Sequence, residues 1–307
     1  MIPTPHLSPL DVAPPDPVAR SYVPALHDES TTRPAPVSRG HRMPARISDA
    51  LARERDLRGL CCRILGWSSE QAGFVDDAMH ILLTAAARGG AVALQGDSDL
   101  VPVAFALHRR LLGADRPFVV CDPRRRAGEG SVRVPPNRNT GMVALDAAAG
   151  GSICIHSDRL PRDFNALATS LRERRTMAVL FVCLHSSDRI TDLLCRPISI
   201  PPLAQRKSEL ERLLNECLDD AAQALGATRP QLSERVQQCV LEDAESLCDL
   251  DKAALRLVAL RNTPSVNQAA QRLNMALVSL NRWIARRRWA VEFLRDRDDR
   301  GDSAEVP

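Results

Sequence analysis

Four short apolar runs constrain this chain more than anything else in it: residues 91–94, 118–121, 153–156 and 178–184. Each is four to seven residues long and rich in Val, Ile, Leu or Phe. That is the length and composition of a buried strand, too short for a buried helix. Helical spacing fills the intervals, over residues 71–87, 103–112 and 164–172, and Gly89-Gly90 stops the first of these. Strands that alternate with helices are joined by crossovers and pair in parallel, so the fold class is α/β. Residues 122–139 read as irregular. After Pro201-Pro202 the pattern is helical to about Asp296, and no internal repeat occurs.

The two ends read differently. Residues 1–46 hold ten of the 22 prolines and few large apolar groups. Such a segment cannot bury enough surface to offset its ordering entropy, and a disordered tail is expected. A polar tail is expected again over 297–307. No apolar run approaches the ~20 residues that span a bilayer, and the charged start and apolar stretch of a signal peptide are missing. The expectation is a soluble, cytoplasmic chain with no membrane partner. Nine cysteines occur without a C-x-x-C pair. They read as buried, reduced thiols, with no metal implied. His156, His185 and Cys154, near strand ends, have no recognised ligand spacing and read as structural. Arg124-Arg125-Arg126 reads as a solvated loop.

The net charge of +3 is small, but charge clusters matter more than totals. Residues 251–288 carry eight Arg or Lys against one acid, Asp251. Within them Ser265-Val266-Asn267-Gln268 has the form of a capping box. Val266, Ala269, Ala270 and Leu273 form one apolar face, and Asn274 suits the left-handed turn that ends a helix. Met275 follows as a core plug, and a second helix points Leu280 and Ile284 inward. Opposite that stripe lie Ser279, Asn281, Arg282, Arg286 and Arg287. A short helix, a tight turn and a second helix with a polar, cationic outer face fit a major groove. Ser and Asn can read base edges there, and Arg can hold guanine or phosphate.

Residues 265–275 resemble the Fis-type helix-turn-helix, roughly G-N-x-x-x-A-A-x-x-L-G-I. Ser279-Leu280-Asn281-Arg282-Trp283-Ile284 is similar to that family's T-L-Y-R-K-L. Asn274, Ala276 and Trp283 depart from the pattern. Ile64-Leu65-Gly66-Trp67-Ser68, residues 149–157 (AGGSICIHS) and the pair Asp192-Leu193-Leu194-Cys195-Arg196 and Pro201-Pro202-Leu203-Ala204-Gln205-Arg206-Lys207 resemble, in order, I-V-G-x-S, A-x-G-G-T-L-F-L-D-E and D-L-Y-Y-R…P-P-L-R-E-R-K. These are motifs of the NtrC-like enhancer-binding regulators with an AAA+ ATPase domain. The resemblance implies a degenerate AAA+ parallel sheet over 47–200, a helical lid over 201–250 and an all-α helix-turn-helix over 251–296.

The chemistry of that family does not carry over. A phosphate loop needs G-x-x-x-x-G-K-[ST], with glycine amides and a lysine around phosphate and a hydroxyl on Mg²⁺. Here Gly96 is followed by Asp97, Ser98, Asp99, Leu100, Val101, Pro102 and Val103. Pro102 removes an amide donor, and the two aspartates repel phosphate. His156 and Ser157 replace the acidic pair that holds metal and activates water. No G-A-F-T-G-A loop, the sigma-factor contact, lies between Asp122 and Gly150. Ser186 falls at the polar Asn after the next strand, and Cys248 falls where the lid has an Arg. Losing loop and carboxylates removes both binding and activation for phosphoryl transfer. The reading is therefore not an enzyme: no catalytic residues, no cofactor and no metal.

The expected function is a sequence-specific transcriptional regulator that binds double-stranded DNA, with transcription machinery as a further partner left open. The alternative is a non-catalytic adaptor that binds and modulates other AAA+ subunits, which has less use for a basic C-terminus. A homodimer or higher oligomer is expected, paired through residues 254–262, where Leu257, Val258 and Leu260 recur, or through Trp289 and Phe293. The competing reading folds both surfaces back onto the chain's own α/β domain.

Overall fold

A computed structural model describes residues 45–130, 135–173, 177–186 and 196–301. The expected tail over 1–46 therefore lies outside the described residues except for its last two, as do residues 302–307 and the Asp192–Cys195 part of the family-like motif. All described residues but none of the first 43 fall in one compact unit, 44–307.

Helix α1 (Ala45–Leu65) opens this unit and α2 (Ala72–Arg88) follows. The α2 helix ends at Gly89 with φ 66°, a left-handed cap whose N–H donates to the Ala85 carbonyl. Among the described residues six strands then alternate with helices: β1 (Ala91–Gln95), α3 (Val101–Leu111), β2 (Phe118–Cys121), β3 (Asn137–Arg138), α4 (Gly141–Ala147), β4 (Ser152–His156), α5 (Phe164–Arg172), β5 (Val179–Leu184) and β6 (Ile198–Ser199). All pair in parallel, in the order β3-β2-β4-β5-β1-β6. Every residue of β2 and β5 is buried, the continuous apolar pattern of a sheet covered on both faces.

Alternation assigns those faces. Val92, Leu94, Phe118, Val120, Cys154 and Phe181 pack with α1, α2 and α3. Ala93, Val119, Ile153, Ile155, Leu180 and Val182 pack with Ala144 and Leu145 of α4 and Leu167 of α5. One polar group crosses the first layer. His108 is fully buried, with Nε2 donating to the Arg116 carbonyl at 3.0 Å. Its Nδ1 therefore accepts from the Ser152 hydroxyl, 2.8 Å away. Burial lowers its pKa, which fits the neutral ring these bonds need. The Gly150-Gly151 pair before β4 has a steric cause: a Cβ on Gly151 would collide with the Pro117 carbonyl oxygen, and the Ser152 N–H donates to that same oxygen at 2.9 Å.

The remaining helices are α6 (Leu210–Leu225), α7 (Glu234–Asp243), α8 (Leu247–Arg261), α9 (Val266–Arg272), α10 (Leu277–Ala285) and α11 (Arg288–Gly301). Ser233, Ser246 and Ser265 cap α7, α8 and α9, each accepting from the amide three residues on. One hydrophobic core runs from Leu203 through Leu214, Leu257, Leu273 and Leu280 to Phe293. The boundary expected at 250/251 thus falls inside α8, and the helices on either side of it share that core.

Three findings differ from the sequence expectation. The interval 122–139 is not wholly irregular, because Asn137 and Arg138 form an edge strand. The Asn137 amide side chain accepts from the Asp122 N–H and donates to its carbonyl, both at 3.1 Å. The helix α11 continues through Asp296 to Gly301, since no Pro or Gly interrupts it sooner. The surface from which pairing was expected is internal. Ala254, Leu257, Val258, Ala259 and Leu260 are all fully buried, and Trp289 and Phe293 nearly so. The turn Leu257-Val258-Ala259-Leu260 is apolar on every side, as in a core helix, and α8 lies between α6 and α9.

The two halves are joined by an ion cluster. The Asp220 carboxylate on α6 receives Arg63 of α1 at 2.5 Å and Arg110 of α3 at 3.0 Å.

Candidate functional site

Two regions carry polar chemistry: a cleft at the carboxyl ends of the strands, and the outer face of α10. The cleft, of about 1260 Å³, lies where ligands bind in open parallel sheets, outside the strand ends beside the point where strand order reverses. Its floor is Gly96 and Asp97 after β1, Asp122 after β2, His156 and Ser157 at β4, and His185 after β5. Its far wall comes from α8 and from the turn between α9 and α10, including Lys252, Leu255 and residues 272–275.

At the place where a phosphate loop would lie, the chain occupies its own donors. The Asp99 carboxylate accepts from the Val101 N–H at 3.1 Å, so an internal anion caps the start of α3. Asp97 is held by the Ser186 hydroxyl. Pro102 sits within the first turn of α3, where no amide is available. Asp122, almost wholly buried, receives the Arg124 N–H at 2.9 Å and Arg159 at 3.1 Å. Arg124 itself reaches Asp158 at 3.6 Å, while Arg125 and Arg126 are exposed. His156 is half-buried and His185 exposed. Cys154 lies inside the core with its Sγ 3.5 Å from that of Cys183. Burial pushes the thiols up, Cys61 to about 12 and Cys121 to about 11, so they carry little thiolate.

The sequence reading missed Lys252. It stands one turn beyond Cys248, is half-buried and is bonded to the Cys248 thiol. Burial opposes its charge, but that bond and the charges of Asp249 and Asp99 outweigh it and raise its pKa.

The second region is built from α9 and α10. The Gln268 N–H donates to Ser265 Oγ at 3.2 Å; the exposed Gln268 side chain does not return the bond. Ala269, Ala270 and Leu273 are buried. Asn274 has φ 47°, the expected left-handed turn, and the Met275 N–H closes it on the Ala270 carbonyl at 3.0 Å. On α10, Leu280, Trp283 and Ile284 point inward. Ser279, Asn281, Arg282 and Arg286 are exposed together on the other side.

Arg287 departs from the expectation. It is half-buried, 3.4 Å from Asp243 and stacked on the Trp283 ring at 5.1 Å. Arg256 lies over Trp283 at 5.0 Å. The Trp283 ring meets Trp289 edge-on at 5.4 Å, and Trp289 Nε1 donates to Asp243 at 2.8 Å. Trp283, where the resembled family has a basic residue, is therefore the centre of the joint that fixes α10 against α7, α8 and α11. Arg272 is likewise internal in purpose, donating to the Leu225 carbonyl at the end of α6 at 2.6 Å. Of the eight cations in residues 251–288, Lys252, Arg256, Arg272 and Arg287 have intramolecular partners. Arg261 is half-buried, and Arg282, Arg286 and Arg288 are exposed, the last a position the sequence reading did not select.

The chain is an α/β protein with a parallel sheet and a helical C-terminal half. Comparison with protein families and with curated proteins finds no match. Solved structures it is similar to include NtrX from Brucella abortus in complex with ADP, at 15% identity over 72% of this chain and 56% of that one, with a TM-score of 0.41. The complex of NtrX with ATP gives 15%, 72%, 57% and 0.43. A further NtrX structure gives 17%, 72%, 56% and 0.40. The likeness is remote, and the chain spans a little over half the length of those proteins.

Proposed function

We propose that the chain is a sequence-specific DNA-binding transcriptional regulator, with α9 and α10 as its helix-turn-helix and an AAA+-like domain that does not hydrolyse ATP. The observation that carries this is the division of α10. Ser279, Asn281, Arg282 and Arg286 share one exposed face behind a left-handed turn, while the opposite face is locked into the core. That arrangement presents base-reading and phosphate-binding groups on a rigid element.

Substituting Arg282 and Arg286 singly by alanine tests it. Arg282→Ala changes sequence preference and costs about 1–3 kcal/mol on the preferred site. Arg286→Ala weakens binding on all sequences alike and reduces the salt slope by about one. Arg287→Ala acts through stability instead, given its hold on Asp243 and Trp283. Equal DNA binding by all three variants and the parent chain overturns the assignment, and leaves the adaptor reading.

Absence of hydrolysis is supported by Asp99 capping α3, by Pro102 in its first turn and by His156 and Ser157 at the end of β4. The purified chain turns over no ATP above a mock preparation. Turnover that disappears on substituting a residue of the Gly96–Val103 segment contradicts this.

A further inference from the structure

The first turn of α10 carries no charge. Val278 is 67% exposed and Leu277 38% exposed, against a helix whose inward face is complete without them. Val278 lies one turn before Arg282, and Leu277 one turn before Asn281, so each apolar side chain shares a stripe with a polar one. Exposed aliphatic groups beside exposed cations suit a surface that is anionic overall but locally apolar. The major groove of DNA is such a surface, because thymine alone presents a methyl group there.

We infer that Val278, with Leu277 beside it, reads thymine C5-methyl groups, so that α10 selects sites by an apolar first turn and a polar second turn. This rests on α9–α10 being the DNA-binding element. Val278 meets the methyl edge while Arg282, one turn on, reaches the donor and acceptor groups of a neighbouring base pair. A single methyl removed from such a contact loses about fourfold in affinity, the factor that ~0.8 kcal/mol per buried CH₂ corresponds to. The larger exposure of Val278 makes it the principal reader and Leu277 a flanking contact.

The test starts from a duplex enriched from a random pool by the full chain. Each thymine in the enriched site is replaced in turn by deoxyuridine, which removes the methyl and keeps the pairing. At least one position loses about fourfold with the parent chain, and Val278→Ala abolishes that difference without changing the salt dependence. Uniform tolerance of deoxyuridine in an enriched site overturns the inference and leaves the DNA-binding reading intact. A deoxyuridine effect that survives both Val278→Ala and Leu277→Ala also overturns it. Failure to enrich any sequence overturns both.

Discussion

Trp283→Ala lowers the unfolding free energy by about 3–5 kcal/mol, the range for deleting a large buried aromatic side chain. The ring is only 8% exposed, and removing it takes away three contacts at once. Trp289 loses its edge-to-face partner, and Arg256 and Arg287 lose the ring they stack on. Aromatic pairs and stacked cations add roughly 0.5–1.5 kcal/mol each beyond buried area. The side chain belongs to the core that α6–α11 share. The loss therefore appears in the urea transition of the helical half, and DNA affinity falls because α10 is no longer held. Trp283→Phe keeps a ring and recovers part of the stability. A loss below about 1 kcal/mol for the alanine variant contradicts the assignment of Trp283 as the centre of this joint.

Asp220→Ala is the second large effect, about 3 kcal/mol. Asp220 is the shared partner of Arg63 on α1 and Arg110 on α3. Arg63 is nearly buried, and removing one partner of a buried pair costs about 3–5 kcal/mol where the charge is left uncompensated; the charge of Asp251 still acts on Arg63. The carboxylate is 36% exposed, so water replaces part of what is lost and the lower end applies. Arg110 also pairs with Asp56 at 3.3 Å, but that carboxylate is 63% exposed. Asp56→Ala then costs under about 1 kcal/mol. Chemical denaturation of the two variants side by side checks the ranking, and equal losses contradict it.

The strands of the sheet centre were legible because burial on both faces makes each a continuous apolar run, as in residues 118–121 and 178–184. The strands β3 and β6 were not, since two residues carry no periodicity and their pairing is set by neighbours. The helix α4 was hidden for a related reason. Its first amides, Gly141 and Met142, donate to Asp163 at 2.7 and 2.9 Å, a cap from 22 and 21 residues along the chain. On α10 the exposed face followed from helical spacing alone. The roles of Arg287 and Trp283 did not, because Asp243 and Arg256, which decide them, lie on other helices. The fate of α8 was available in principle: Leu257-Val258-Ala259-Leu260 leaves no polar side for solvent.

Binding of the full chain to duplex DNA across a salt series decides whether α9 and α10 engage DNA. Of the exposed cations Arg282, Arg286 and Arg288, the last two are assigned to phosphate, so log K falls with log salt at a slope of roughly −2 per chain, reduced to about −1 in the Arg282→Ala, Arg286→Ala double variant. Binding that is absent at low salt, or present with a slope the double variant leaves unchanged, contradicts the account.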